Sequence, residues 1–457
     1  MMSKSILLFH RDLRITDNHV ISALIQKNVD KIYACFIFTP EQISSRNEYR
    51  SLHAIKFMLE SLHELAETIR SKTNGELLFF YGKQTEVLTY LFNELQPTSL
   101  FFHADYTPFA VQRDKETKAL CDKYGIECNM VHDLYLQPPS TVLGKTGQAY
   151  KKFTPFYDAI ITKPVDIPRK ASFHIPFVKY PATVRKYKTT LDEFAPTIEN
   201  AVMGGRMEGL KMLKTAINEQ SDYENTRDFM AKPCSKLSAH LKFGTLSIRE
   251  VYYSFAKKYG KKCEFIRQLY WRDFFAHLLF AYPDGMDGSM SSFHKPKWNH
   301  STSMWNAWTT GKTGFPLVDA GMREMLATGY MHNRARMVVA TFFVKTLGLD
   351  WRKGEQFFAQ HLTDYDVASN NGNWGNISSM GVYAQPYFRD MNPWIQSAKF
   401  DPTAEYIKKW VPELSGIEPS KIHKWYKYAS MPEYEKVYMV PIVVYEEQKK
   451  QVLALYK

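Results

Sequence analysis

With 457 residues, 45% of them apolar, the chain is too long for one ordinary core and implies two or three domains with a substantial interior. Its formal net charge of +12 favours a polyanionic partner such as nucleic acid, although charge alone leaves a merely basic soluble protein equally open. The cysteines (Cys35, Cys121, Cys128, Cys234 and Cys263) form no CxxC pair and no zinc spacing, and nothing after Cys263 could ligate a cluster. Neither a metal nor an iron–sulfur centre is therefore expected. A sparse, odd set of cysteines fits an intracellular reducing compartment, cytoplasm or nucleus. No stretch approaches the roughly 18 apolar residues of a membrane span. The opening "MMSKSILLFHRDLR" meets charge too soon for a signal peptide.

In chain order, strand-like runs fall at 5–10, 31–38, 76–81, 99–103 and 127–132. Helical segments separate them. The clearest is 50–72, where Leu52, Ile55, Met58, Leu62, Leu65 and Ile69 recur every three or four residues. Buried strands alternating with amphipathic helices imply an α/β domain over 1–132, a doubly wound parallel sheet with right-handed crossovers. No GxGxxG follows the first strand, so a dinucleotide site of the dehydrogenase kind is not expected there.

From 133 to 200 prolines break both periodicities, which predicts a long connector running over the surface. From 201 to 457 helical patterns dominate, at 245–258, 263–281, 317–328, 331–347 and 354–362, giving an all-helical domain.

Four stretches of this second half have chemical content. As a helix, 329–351 sets Asn333 and Met337 one turn apart. Arg336, beside an apolar stripe, then needs a carboxylate partner if it is more than a surface turn. In "PCSKLSAHLKFGTLS" (233–247), Ser235 and Ser238 flank Lys236 ahead of a helix, either as simple caps or as an anion site suited to phosphate. On the helix "EFIRQLYWRDFFAHLLF" (264–280), Gln268, Trp271 and Arg272 share a face that would suit a nucleobase, or simply pack into the core. Finally, "DYDVASNNGNWGN" (364–376) reads as a turn by its Asn and Gly content. Its flanks, however, are apolar and aromatic, so Asp364, Asp366 and Asn370 must be satisfied by one another or by a ligand.

"LLFHRDLRITDN", "WNAWTTGKTGFPLVDAGMREMLATGYMHNRARM", "DYDVASNNGNW" and "PYFRDMNPWIQSAKFDP" occur in this order. Together they resemble the signature blocks of the photolyase/cryptochrome flavoprotein family, along essentially the whole chain. The resemblance implies an N-terminal α/β domain, a connector, and a helical domain that binds FAD. It implies that the 364–376 loop wraps the flavin, with Asn370 facing N5, Asp364 paired to Arg336, and Asp366 in contact. Tyr223 and the run Cys234, Ser235, Lys236, Leu237, Ser238 match the segment that holds the pyrophosphate and ribityl chain; Cys234 replaces a common Thr. Phe265 and Arg272 match cofactor contacts. Trp374, Trp351 and Trp298 match an electron path from surface to flavin.

For the lesion, the resemblance assigns Trp271, Asn333, Arg334 and Met337 to the pocket, and Arg227, Arg389 and Gln396 to DNA. Gln268 stands where dimer-repairing members carry a glutamate, and Asn376 where a second pocket tryptophan is usual. The activity implied is light-driven repair of cyclobutane pyrimidine dimers in UV-damaged DNA, by a monomer with no membrane attachment. A (6-4) photolyase would share Gln268 but needs histidines where Asn333 and Met337 stand. A signalling cryptochrome is the other alternative; the ending "YMVPIVVYEEQKKQVLALYK" carries no long extension and favours repair. The segment 103–114 lies where an antenna pigment (folate, deazaflavin or flavin) would sit.

Overall fold

The computed structural model describes residues 2–169, 174–288, 296–383 and 389–456; Pro386, Tyr387 and Phe388, which open the last signature block, lie outside them. The chain forms two compact units. The first comprises residues 1–198, 202–218 and 235–283, and the second 199–201, 219–234 and 284–457. The segment 235–283, grouped with the helical half by its periodicity, thus packs in the unit that contains the sheet.

In the first unit, β1 (Lys4–Phe9), β2 (Lys31–Phe38), β3 (Leu77–Tyr81), β4 (Ser99–His103) and β5 (Glu127–Val131) form one parallel sheet in the order β3-β2-β1-β4-β5. Alternate residues of β1 enter opposite cores. Leu7 and Phe9 pack with Leu62, Leu65 and Ile69 of the helix Leu52–Lys72. Ile6 and Leu8 pack with Val87, Leu88 and Leu91 of the helix Gln84–Leu95. Apolar residues on both faces are what a doubly wound sheet requires.

The connector departs from its expected surface course. It includes a helix, Phe153–Ile160, and buries Ile175, Phe177, Tyr180 and Val184. Phe177 bridges to Ile32 and Lys188 to Phe80, so the connector satisfies backbone groups left open beside β2 and β3. Gly75 permits this approach, because a Cβ there would meet the Phe177 Cβ at 2.4 Å.

The first signature block closes a buried ion cluster. Arg14 pairs with Asp133 and donates Nη2 to the Asp17 carbonyl at 2.7 Å. Arg249 pairs with the same Asp133 and donates Nε to Asp17 Oδ2 at 3.1 Å. Burial alone would raise the Asp133 pKa, but Arg14 and Arg249 hold it below the usual carboxylate value. This cluster ties the loop after β1 to the helix Ile248–Tyr259, which explains why 235–283 joins the sheet.

The second unit is helical around an aromatic core that includes Trp308, Phe342, Phe343, Trp351 and Trp374. The helix expected over 331–347 runs as an α-helix only over Asn333–Thr341, and Phe342–Thr346 form a π-helical turn. The stretch that reads as a turn by composition is also different. Val367–Ser378 form an α-helix, with Asp366 accepting the Ser369 N–H at 3.1 Å as N-cap. Its far end approaches the following chain so closely that a Cβ on Gly375 would lie 2.9 Å from the Gly381 Cα. The glycine serves close backbone contact rather than a bend.

Candidate functional site

In the second unit, Arg336 donates Nη2 to Asp364 Oδ2 at 3.0 Å and Nε to the Met331 carbonyl at 2.8 Å. The two side chains are 24% and 8% exposed. This supplies the carboxylate that the helix pattern required. Burial would lower the Arg336 pKa, and Asp364 outweighs it and raises the value. Two residues beyond Asp364, Asp366 fixes the start of the Val367 helix, and Asn370 follows one turn later with its N–H on the Asp366 carbonyl at 2.8 Å.

Asn370 donates Nδ2 to Glu355 Oε1 at 2.9 Å and to the Glu355 carbonyl at 3.1 Å. Glu355 is 3% exposed and also accepts from Tyr365 Oη at 3.4 Å. Sequence reasoning missed Glu355. Its only signal was an acid on the apolar side of the helix Trp351–His361, beside the equally buried Phe358.

Trp374 is buried, with edge-on neighbours Phe358 at 5.0 Å and Phe343 at 5.8 Å between ring centroids. Gly354 makes room for it, since a Cβ there would meet the indole at 2.4 Å. Trp351 is also buried at the first position of its helix. Trp298 is partly buried against the same core, with Tyr456 edge-on at 6.1 Å. A further tryptophan, Trp308, is fully buried 6.4 Å from Trp374 and donates Nε1 to the Val339 carbonyl at 3.2 Å.

Other expected residues of this unit are more scattered in role. Tyr223 opens a short helical turn and accepts, through its carbonyl, the Arg227 N–H at 3.0 Å. Cys234 Sγ lies 2.8 Å from the hydroxyl of the half-buried Tyr330, over whose ring Arg336 sits at 5.7 Å. Asn333 is exposed and reaches Met337 Sδ at 3.8 Å. Arg334 is taken up by Asp228 and lies over Phe400 at 4.4 Å. Arg389 is exposed, Asn376 is half-buried on the Val367 helix, and Gln396 has a buried Oε1 with no hydrogen-bond partner among the described residues.

In the first unit, Ser235 and Lys236 lead through a left-handed turn at Lys236 (φ 49°) to Leu237, whose side chain is buried, and then to the helix Ser238–Phe243. That helix start has no side-chain cap. On the helix Glu264–Ala281, Phe265 stacks on Phe255 at 3.6 Å and Trp271 on Phe153 at 3.6 Å. Arg272 donates to the Leu134 carbonyl at 2.8 Å and lies over the Tyr135 ring at 4.5 Å. Gln268 donates Nε2 to Glu264 Oε1 at 2.7 Å.

A second polar cluster sits at the carboxyl ends of β1 and β4, where neighbouring connections leave β1 in opposite directions. Arg11 pairs with Asp105 at 3.3 Å, and His10 lies 3.4 Å from Gln84. His103 is fully buried, and neither ring nitrogen has a hydrogen-bond partner among the described residues. Burial lowers its pKa to about 3, so it is a neutral imidazole able to accept or donate.

Residues 5–170 match the family described as DNA photolyase, and residues 265–457 match the FAD binding domain of DNA photolyase. A deoxyribodipyrimidine photo-lyase of Buchnera aphidicola is 34% identical over 100% of this chain and 98% of its own. The chain belongs to the DNA photolyase family. Its cofactor is accordingly FAD. An archaeal photolyase from Sulfolobus tokodaii, solved with two FAD molecules and implying a novel light-harvesting cofactor, superposes with a TM-score of 0.87 at 37% identity, covering 99% of each chain. A cryptochrome of Synechocystis gives a TM-score of 0.90 at 26% identity over 100% of this chain and 99% of that one. Among the described residues no helix is long and apolar enough to cross a membrane, and no group of three or more His, Cys, Asp or Glu could hold a metal ion.

Proposed function

We propose that this protein repairs UV-damaged DNA by splitting cyclobutane pyrimidine dimers in blue light. The observation that carries the reading is the second unit's arrangement of Arg336 on Asp364 with Asn370 held by the buried Glu355, within the region that matches the FAD-binding domain. These groups fit a flavin: a cation–carboxylate pair for its polar edge and an oriented amide. The resemblance assigns its phosphates to the segment of Ser235, Lys236 and Ser238 in the first unit. Tyr223, Cys234, Leu237, Phe265, Arg272 and Asp366 complete the proposed cofactor residues. We retain 1–132, 133–200 and 201–457 as the α/β, connector and FAD-binding portions of this function.

When bound and reduced, FAD supplies on illumination the electron that opens the dimer, and the electron returns afterwards. The chain's own residues bind, orient and exclude water. Arg227 and Arg389 approach phosphates, with Arg334 contributing while paired to Asp228. The weakly stacked lesion leaves the duplex at low cost, as in base-flipping enzymes generally, photolyases among them. The resemblance assigns Gln268 and Trp271 of the first unit, and Asn333, Met337 and Asn376 of the second, to the lesion, and Gln396 offers the buried Oε1 as an acceptor. Trp374, Trp351 and Trp298 return the flavin to its working redox state by relaying electrons from the surface. Asn333 and Met337 carry no titratable proton, and a (6-4) lesion needs one moved, so the dimer is the substrate.

The neutral His103 and its neighbours Arg11, Asp105 and His10 form the proposed antenna site, since flat heteroaromatic rings offer partners to a buried imidazole. The enzyme works as a monomer inside the cell, where its substrate is.

The test is repair of each lesion separately by the chemically reduced protein under blue light. Dimer repair alone supports the assignment, and (6-4) repair alone overturns it. Repair of neither would favour the second reading, a photoreceptor, which the likeness to the Synechocystis cryptochrome supports.

A further inference from the structure

Gln268 and Glu264 lie one turn apart at the start of the helix Glu264–Ala281. Among the described residues, the 2.7 Å bond from Gln268 Nε2 to Glu264 Oε1 is the side-chain hydrogen bond that Gln268 makes. Glu264 is only 12% exposed, and Arg267 stands 3.4 Å from its other oxygen. It occupies the first residue of the helix, where the N-terminal dipole favours a negative charge. A carboxylate accepts and never donates. It therefore decides which end of the neighbouring amide faces it: the nitrogen can, the oxygen cannot.

An amide nitrogen carries two hydrogens, one directed away from the amide oxygen and one beside it. With the first given to Glu264, the oxygen and the second hydrogen form one edge, an acceptor next to a donor in a fixed order. The imide edge of thymine presents N3–H and C4=O, a donor next to an acceptor, and a cyclobutane dimer keeps both groups. Cytosine presents the reverse, an N3 acceptor beside an amino donor. An unrestrained glutamine could flip to read either base. One held by a carboxylate reads thymine.

We propose that Glu264 is a positioning residue that makes the lesion site selective for thymine over cytosine dimers by fixing the amide of Gln268. The inference rests on the reading of Gln268 as a lesion contact and adds a base preference to it. A bidentate match of this kind separates right from wrong bases by about tenfold or more. Surface pairing at helical spacing, by contrast, would change stability by a few tenths of a kcal/mol and leave base preference alone.

The experiment measures dark binding of the flavin-loaded protein to oligonucleotides carrying one thymine–thymine dimer, one freshly made cytosine–cytosine dimer, or none. The wild type should prefer the thymine dimer to the cytosine dimer by about tenfold. Glu264→Gln, whose amide can face Gln268 with either end, should bring that ratio close to one while flavin content and melting temperature stay as in the wild type. Glu264→Ala should do the same. An unchanged ratio in both variants would overturn the proposal and leave the pair as helix packing. Wild-type protein that prefers neither dimer to undamaged DNA would instead remove the repair reading, and this inference with it.

Discussion

The ion cluster of the first unit and the Arg336–Asp364 pair of the second are made of the same kinds of side chain, and each draws on a signature block. Their surroundings differ. Arg14, Arg249, Asp17 and Asp133 are at most 3% exposed and bond mainly to one another, with further bonds to backbone carbonyls and, at Asp17, from the Ser247 hydroxyl and the Arg169 N–H. Arg336 keeps 24% of its side chain exposed and donates to Asp364 at 3.0 Å and to the Met331 carbonyl at 2.8 Å. The closed cluster joins distant segments of chain, whereas the Arg336–Asp364 pair stays partly exposed. Motif blocks of one family thus carry two unlike tasks, and burial tells them apart.

The comparison can be broken most directly at Asp133. Replacing it by Ala leaves two buried guanidinium groups without their shared carboxylate, and a loss of about 3–5 kcal/mol in urea unfolding is expected. A loss below about 1 kcal/mol would show that the cluster is hydrated in solution.

The tryptophans sharpen the same contrast. Trp308→Phe should cost about 2 kcal/mol, through a small cavity and the lost bond to Val339, with light-driven flavin reduction little changed. Trp374→Phe should suppress that photoreduction, followed by flavin absorbance in the presence of a thiol, yet leave repair by chemically reduced protein intact. Equal photoreduction in the two variants would remove Trp374 from the electron path.

Asp364→Asn retains a hydrogen-bonding side chain without its charge. Stability should fall by about 1–2 kcal/mol, with a clear drop in flavin retained per chain after gel filtration. Full retention of flavin would mean that the pair is structural after all.

Acid tests the first unit, where two buried carboxylates act in opposite directions. Asp133 is held below its unfolded pKa, so its stabilisation is complete above that value and is lost as pH falls through the lower, folded pKa. Asp12, pushed up to about 6 by burial, acts oppositely: its ionisation destabilises the fold above pH 6 and the penalty is relieved on acidification. Urea midpoints should therefore rise slightly from pH 7 to 5 and fall below pH 4, and Asp133→Asn should lose the low-pH fall.

The smallest effect concerns DNA. Arg389→Gln should lower the log–log salt slope of binding by about one unit. Arg334→Gln should lower it by less, because Asp228 already neutralises that guanidinium. Equal slopes for both variants would contradict the pairing.

Local pattern was enough for the strands, for most helix limits, and for the order of the signature blocks, because alternation and helical periodicity are set by near neighbours. It was enough too for the demand that Arg336 find a carboxylate, since a buried cation needs one wherever it lies. Composition failed at 364–376, where Asn and Gly suggest a turn: the helix there depends on Asp366 as cap, the Gly375–Gly381 approach, and Asn370 bound to Glu355. Placement of 235–283 beside the sheet likewise rests on Arg249 reaching Asp17 and Asp133, more than a hundred residues away. Even Glu264, only one turn from Gln268, gains its meaning from burial, which sequence spacing does not report. The sequence determined most of the elements and the family, which short-range physics specifies; tertiary structure decided which polar groups are closed off, because that depends on what distant chain segments cover them.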